Sequence, residues 1–523
     1  MRRTLALLLF AACDLTAASP VTITVLATTD LHGNLTPVDY VTGQPAPLGL
    51  AKIATLVRQV RAASPNAILI DCGDTIQGTP LEGVYQSSGS TVGDPMMRAM
   101  NLLRYDAMTV GNHEYNVGLA NLARARRDAK FPWLSANTIV APGGAQRAYE
   151  PFIVKTVAGV KVAIIGITTP VIPIWEKPEN LGSYRFTAPA DALRAALATL
   201  RRTQHPDLVI VAAHSGLGRN LETGALEEPA ENVVYQLAAE VPGINAIVYG
   251  HSHSQLEGRL VNNVLLVQPK NWGASLARLD FTFDPAPNGG WKLGAAQSHL
   301  LPVSAQTEAA PDLMALAKPY EDAAQRYLET PVATSAQPLS AARGREQDTA
   351  VVDAIQRVQL QYAEADVSFT ALFNPEVRVP QGQITVRQIA ALYPYDNELF
   401  AIEGTGKMVK DALENSARYY SNTGIPGFNC DMAEGVDYEV DRARPEGDRI
   451  RNLRWKGKPL APDQKLRIAI NNYRAGGSGG YTMFQGAKVL WRSSEGIREL
   501  LIRYYTEKKS IPTEPTNNWR LLN

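Results

Sequence analysis

The chain has 523 residues, 45% hydrophobic and 20% charged, with 51 basic residues balanced by 51 acidic ones. That length predicts two or more domains with ample core. The zero net charge argues against a general nucleic-acid binder or a polybasic membrane-surface protein. It leaves room for a small anionic ligand, which needs only local charge.

Residues 1–20 read as a signal peptide: Arg2 and Arg3 are basic, Leu5 to Ala12 is a short apolar run, and Thr16-Ala17-Ala18 is a small-residue exit. That run is too short to span a bilayer, and no later stretch reaches about 18 uninterrupted apolar residues. An exported chain without a transmembrane segment is therefore expected, in the periplasm, the cell envelope or outside the cell. Phe10-Ala11-Ala12-Cys13 also resembles a bacterial lipoprotein box, which would put a lipid anchor on Cys13. Three cysteines make no disulfide framework, and Cys72 reads as a small buried strand-end residue.

The strand Val21–Thr28 ends at Asp30-Leu31-His32-Gly33-Asn34, and a helix follows over Leu50–Ala63. Ala67–Ile70 is a second strand, closed by Asp71-Cys72-Gly73-Asp74. After a helix at Pro95–Leu103, Ala107–Val110 runs into Gly111-Asn112-His113-Glu114. Strands at Pro151–Val157 and Val160–Thr168 and a helix at Pro189–Arg202 lead to Leu208–Val211, which ends at Ala213-His214-Ser215. A helix near Ala230–Glu240 precedes Ala246–Tyr249 and Gly250-His251-Ser252-His253. Val264–Val267 and Ser275–Phe283 are read as closing strands, Pro311–Thr330 as a connecting helix. Strand, polar tip and helix in repetition is the pattern of a layered α/β domain. Taken singly, each tip is what a turn would also look like. Five of the 7 histidines, however, lie in such tips.

Carboxylate, imidazole and carboxamide groups with no clear thiolate suit hard or borderline divalent ions, and there are too many for one ion. Two ions sharing one carboxylate would use them all. Such paired ions stabilise both attacking and leaving oxygens in displacement at phosphorus.

Asp30-x-His32, Gly73-Asp74-x-x-Gln77-Gly78, Gly111-Asn112-His113-Glu114, His214 and Gly250-His251-Ser252-His253 resemble the calcineurin-like metallophosphoesterases, in the order and spacing of their 5'-nucleotidase branch. The resemblance implies an αββα catalytic sandwich over residues 21–308, a linking helix at 309–330, and a smaller α+β nucleotide-binding domain at 331–523. It implies one ion (manganese, zinc or iron) on Asp30, His32, Asp74 and His253. A second would lie on Asp74, Asn112, His214 and His251, with Asp74 bridging. His113 would act on the leaving oxygen, and a hydroxide held by the ions would be the nucleophile. Asp71, Gln77 and Glu114 would support the site without ligating.

Members that cleave 5'-nucleotides have an aspartate three residues after the catalytic histidine; here that residue is Asn116. The asparagine form resembles the exported 2',3'-cyclic-nucleotide 2'-phosphodiesterase/3'-nucleotidases. In the second domain, the stretches around Phe428 and Asn471–Tyr481 resemble the family's base site. Phe428 and Tyr481 are expected to sandwich the base, with Tyr473 the competing choice, and Asn374 and Arg378 to reach sugar or base. The expected partner is a small nucleotide, not a nucleic-acid polymer, and a monomer is expected. The alternatives are a 5'-nucleotidase or nucleotide-sugar hydrolase, a thiosulfate-ester hydrolase, and a non-catalytic nucleotide-binding or surface protein.

Overall fold

A computed structural model describes residues 19–522, apart from 142–145, 223, 225, 227–230, 288–289, 396 and 422–423. Cys13 and nearly all of the expected signal peptide lie outside the described residues. Among the described residues no helix is long and apolar enough to cross a membrane.

Strands β1 (Val21–Thr28), β2 (Ile68–Asp71), β3 (Ala107–Thr109) and β4 (Trp133–Leu134) pair in parallel. A second sheet is built on β5 (Phe152–Val157), β6 (Val160–Thr168), β7 (Leu208–His214), β8 (Ala246–Tyr249), β9 (Leu256–Val261) and β10 (Val264–Gln268), in the order β9-β10-β8-β7-β6-β5. Strands β11 (Ser275–Pro285) and β12 (Trp291–Pro302) close the first sheet, β11 lying antiparallel to β1. The alternation along each strand explains the layers. Ile23, Val25 and Ala27 of β1 and Ile68 and Ile70 of β2 join Val162, Ile164, Ile210 and Val248 in one core between the two sheets. The opposite face, Leu26 and Leu69, packs under α1 (Leu50–Ala63) and α2 (Pro95–Leu103). On the second sheet Ile165, Val211 and Ile247 meet α3 (Pro189–Thr203) and α4 (Val234–Glu240). The result is an αββα sandwich. Because the central strands are parallel within each sheet, their carboxyl ends gather at one edge.

Helix α5 (Pro311–Leu328) packs back on the first domain and leads into the second. There β13 (Val367–Ala371), β14 (Glu398–Thr405), β15 (Asp431–Glu434), β16 (Lys465–Asn471) and β17 (Val489–Gly496) form a mixed sheet in the order β15-β13-β16-β14-β17. A buried arginine ties the parts together. Arg387 donates to Tyr40 O at 2.8 Å, Gln325 Oε1 at 2.6 Å and Glu329 Oε1 at 2.6 Å, joining the second domain to both the helix and the first domain. A second contact lies further along, where Lys177 Nζ meets Glu398 Oε1 at 2.9 Å and Arg492 meets Glu179 at 3.4 Å.

Candidate metal centre

Five tips converge at the common edge. Asp30 and His32 follow β1, Asp74 follows β2, Asn112 and His113 follow β3, His214 ends β7, and His251 and His253 follow β8. Left-handed backbone does the aiming: φ is 49° at Asp30, 47° at His32, 58° at Asp74, 72° at His251 and 52° at His253. Such a conformation at a side-chain-bearing residue costs on the order of 1 kcal/mol. The turn brings His251 N to 3.0 Å and His253 Nε2 to 3.5 Å from Asp30 Oδ1, while the two rings enter different clusters. Two glycines allow the crowding. A Cβ on Gly111 would lie 2.2 Å from Asp74 Oδ1, and one on Gly250 would lie 1.8 Å from Thr29 Oγ1.

Asp30, His32 and His253 form one cluster and Asp74, His214 and His251 another, with the ligand atoms of each within 4.8 Å of one another. Asp74 Oδ2 lies 3.0 Å from His214 Nε2 and 3.8 Å from His32 Nε2, so it faces both clusters. Asn112 Oδ1 is 3.0 Å from His214 Nε2. In the first cluster His253 Nε2 is 3.0 Å from His32 Nε2 and 3.5 Å from Asp30 Oδ1.

Carbonyls and carboxylates behind the imidazoles select which nitrogen faces inward. His214 Nδ1 donates to Cys72 O at 2.8 Å and His32 Nδ1 to Gln77 O at 3.1 Å, so each turns Nε2 to the centre. His251 is reversed: its Nε2 donates to Glu231 Oε1 at 2.7 Å, leaving Nδ1 with the lone pair. The loop carrying Asp74 is itself held by Glu114, which accepts from Asp74 N at 2.9 Å, Thr75 N at 2.6 Å and Gly111 N at 2.7 Å. Asp71 accepts from Gly73 N and Thr75 Oγ1. Both carboxylates face loop donors, not the clusters.

The electrostatics follow the same division. Burial opposes ionisation of Asp74, but the charges of His214 and His113 and the bond from His214 overcome it and hold the carboxyl well below its usual range. Asp30 is likewise lowered, with His253 outweighing burial. Burial depresses His32 to about 4, with His253 and His113 adding to it against the pull of Asp74. His214 rises to about 10 in spite of burial, because Asp74 holds a proton on it. Asp71 is pushed up to about 7 by burial. Buried anions and inward lone pairs in two groups fit two divalent cations.

His113 sits beside the centre, its ring 5.3 Å from that of His32, with Nδ1 against Asn116 Oδ1. Asn116 donates in turn to Glu176. Neither Glu176 nor Glu231 stands out in the sequence: each is one acid outside the tip motifs, and only the tertiary fold brings it to a histidine or its partner.

In the second domain the expected pair separates. Phe428 is 39% exposed, whereas Tyr481 is 0% exposed. Its hydroxyl bonds Ser416 Oγ at 2.7 Å, Asp431 N at 3.1 Å and Asn429 O at 3.0 Å, and its ring lies under the Arg474 guanidinium at 4.2 Å. Tyr481 therefore cannot offer a face to a base; it is a core residue. Left-handed Gly477, Gly479 and Gly480, at 88°, 71° and 84°, turn the chain inward just before it. Tyr473, on the other side of the same loop, is half-buried. Asn374 and Arg378 make local contacts, Asn374 Oδ1 accepting from Glu376 N at 2.8 Å and Arg378 donating to Pro375 O at 2.9 Å.

Residues 23–255 match the family model of the calcineurin-like phosphoesterases, and residues 330–486 that of the 5'-nucleotidase C-terminal domain. The chain is thus a two-domain calcineurin-like phosphoesterase of the 5'-nucleotidase type, a metal-dependent phosphoric ester hydrolase. Its relatives include the 2',3'-cyclic-nucleotide 2'-phosphodiesterase/3'-nucleotidase of Salmonella typhimurium, 29% identical over 96% of this chain and 89% of that one. The trifunctional nucleotide phosphoesterase YfkN of Bacillus subtilis is 28% identical over 97% of this chain, which spans 39% of YfkN's length. A Staphylococcus aureus protein assigned as a 5'-nucleotidase, solved with alpha-ketoglutarate, superposes with a TM-score of 0.83 at 26% identity, over 96% of this chain and 100% of that one.

Proposed function

We propose that this protein hydrolyses 2',3'-cyclic nucleotides to 3'-nucleotides and then 3'-nucleotides to nucleosides and phosphate, scavenging nucleotides outside the cytoplasm after export. The observation that carries the reading is the Asp74 carboxylate facing both clusters with His113 alongside. The asparagine beside His113, and the Salmonella relative's likeness over nearly both whole chains, favour cyclic and 3'-esters over 5'-esters.

Asp30, His32, Asp74 and His253 would hold one ion, and Asp74, Asn112, His214 and His251 the other, as manganese, zinc or iron. When bound, the ions supply Lewis-acid polarisation of the phosphoryl group and acidify a water. Of the protein's own groups, His113 gives a proton to the departing oxygen: ribose O2' in the first reaction, as its bond to phosphorus breaks, and O3' in the second. The two oxygens sit on neighbouring carbons, so a small shift of the sugar serves both. Phe428 and Tyr473 would grip the base, sharing Arg474, which donates to Phe428 O at 2.6 Å and lies 5.3 Å from the Tyr473 ring. Asn374 and Arg378 would approach the sugar or base from their turn. The linking helix would let the second domain carry the nucleoside to the ions.

Initial rates on 2',3'-cyclic AMP, 3'-AMP, 5'-AMP and a nucleotide sugar, after metal reconstitution, test the substrate. Strong preference for 5'-AMP would overturn it in favour of a 5'-nucleotidase.

A further inference from the structure

Glu176 is buried, 7% exposed, at the end of the short helix Ile172–Trp175. Its Oε1 accepts from Lys177 N at 2.7 Å and Asn180 Nδ2 at 2.8 Å, and its Oε2 accepts from Asn116 Nδ2. An ionised carboxylate only accepts. Facing it, the Asn116 amide must present its NH2 and must turn its carbonyl the other way, onto His113 Nδ1. A carbonyl only accepts too, so His113 must donate from Nδ1, and Nε2 becomes the nitrogen for chemistry. An asparagine without such a neighbour could flip its amide and reverse that assignment.

We propose that Glu176 is a positioning residue for phosphoryl transfer: through the Asn116 amide it fixes the tautomer and orientation of His113. A chain that has asparagine next to its catalytic histidine thereby still has a carboxylate in the relay, one side chain further out. The inference rests on the reading of His113 given above. It adds a residue that lies 63 positions from His113 in sequence, in a segment whose neighbours Lys177 and Glu179 contact the second domain.

The test is a double-mutant cycle on the metal-loaded full chain with E176A, N116A and both together. E176A is expected to lower kcat about tenfold while KM stays within about twofold and both ions remain bound. The double variant is expected to be no slower than N116A alone, because the second change removes nothing that still acts. E176Q keeps the side-chain volume and guards against misfolding; it is expected to lose less than E176A and to show the same coupling. In zinc-loaded protein with 15N-labelled histidine, the His113 Nδ1–H signal is expected in the parent and lost in E176A. Independent, multiplying effects of E176A and N116A, or an unchanged kcat in E176A, would overturn the proposal. H113A separates the two levels: normal turnover there would sink the reading of His113 itself, whereas collapse in H113A with no E176A–N116A coupling would sink only the role of Glu176.

Discussion

His214 Nε2 lies 3.0 Å from Asp74 Oδ2, and both side chains are fully buried. The same carboxylate oxygen reaches toward His32 of the other cluster at 3.8 Å. If Asp74 is shared, removing its charge disturbs both ions, while removing Asp30 disturbs one. We expect Asp74→Asn to retain well under one ion per chain after dialysis, and Asp30→Asn to retain close to one. Metal analysis by mass spectrometry checks this; equal loss in the two variants would deny the bridge.

The aromatic residues of the second domain give opposite signatures. Phe428→Ala and Tyr473→Ala are expected to raise KM about tenfold with little change in kcat, because a stacked base is worth roughly 1–3 kcal/mol. Tyr481→Phe removes a hydroxyl with three hydrogen-bond partners. It is expected to cost about 1–3 kcal/mol of stability with KM unchanged. Steady-state kinetics and urea unfolding on the three variants distinguish them.

A covalent cross-link between positions 177 and 398, whose side chains meet at 2.9 Å, would hold the domains in the observed arrangement. Turnover is expected to slow at least about tenfold with both ions retained, if domain motion delivers the substrate. Normal turnover in a verified cross-linked sample would show that no swing is needed.

Stability should depend on pH through Asp353. Burial lifts its carboxyl from 3.8 to about 7, aided by the charge of Asp348 and opposed by the bond from Thr516 N. The folded state therefore holds this proton more tightly than the unfolded chain. Its contribution is fully present below the unfolded value of 3.8 and is lost as pH rises toward 7. Asp353→Asn is expected to reduce the fall in urea midpoint between about pH 5 and about pH 8. Identical pH dependence in parent and variant would contradict the assignment.

The tips were legible because parallel buried strands are nearly continuous apolar runs, so a polar residue closing one is conspicuous: Asp30 after Val21–Thr28, His214 at the end of Leu208–His214. Helices α1 and α2 lie where the sequence places them, over Leu50–Ala63 and Pro95–Leu103, and in the fold Asp94 caps α2 by accepting from Met97 N. The strands Leu256–Val261 and Trp291–Pro302 were not legible, since both are largely exposed and neither is a continuous apolar run. Tyr481 is buried where an exposed ring is expected, because a glycine-rich loop announces a turn but not which side of it faces solvent. Glu176 and Glu231 were invisible for a different reason: their importance lies in one long-range hydrogen bond each, and sequence spacing does not encode that.

The most direct test of the central claim is a 31P NMR time course of the metal-loaded enzyme with 2',3'-cyclic AMP. The cyclic phosphate signal is expected to give way to 3'-AMP, which then decays to inorganic phosphate in the same tube. Release of 2'-AMP, or an inert cyclic ester beside rapid cleavage of added 5'-AMP, would contradict it.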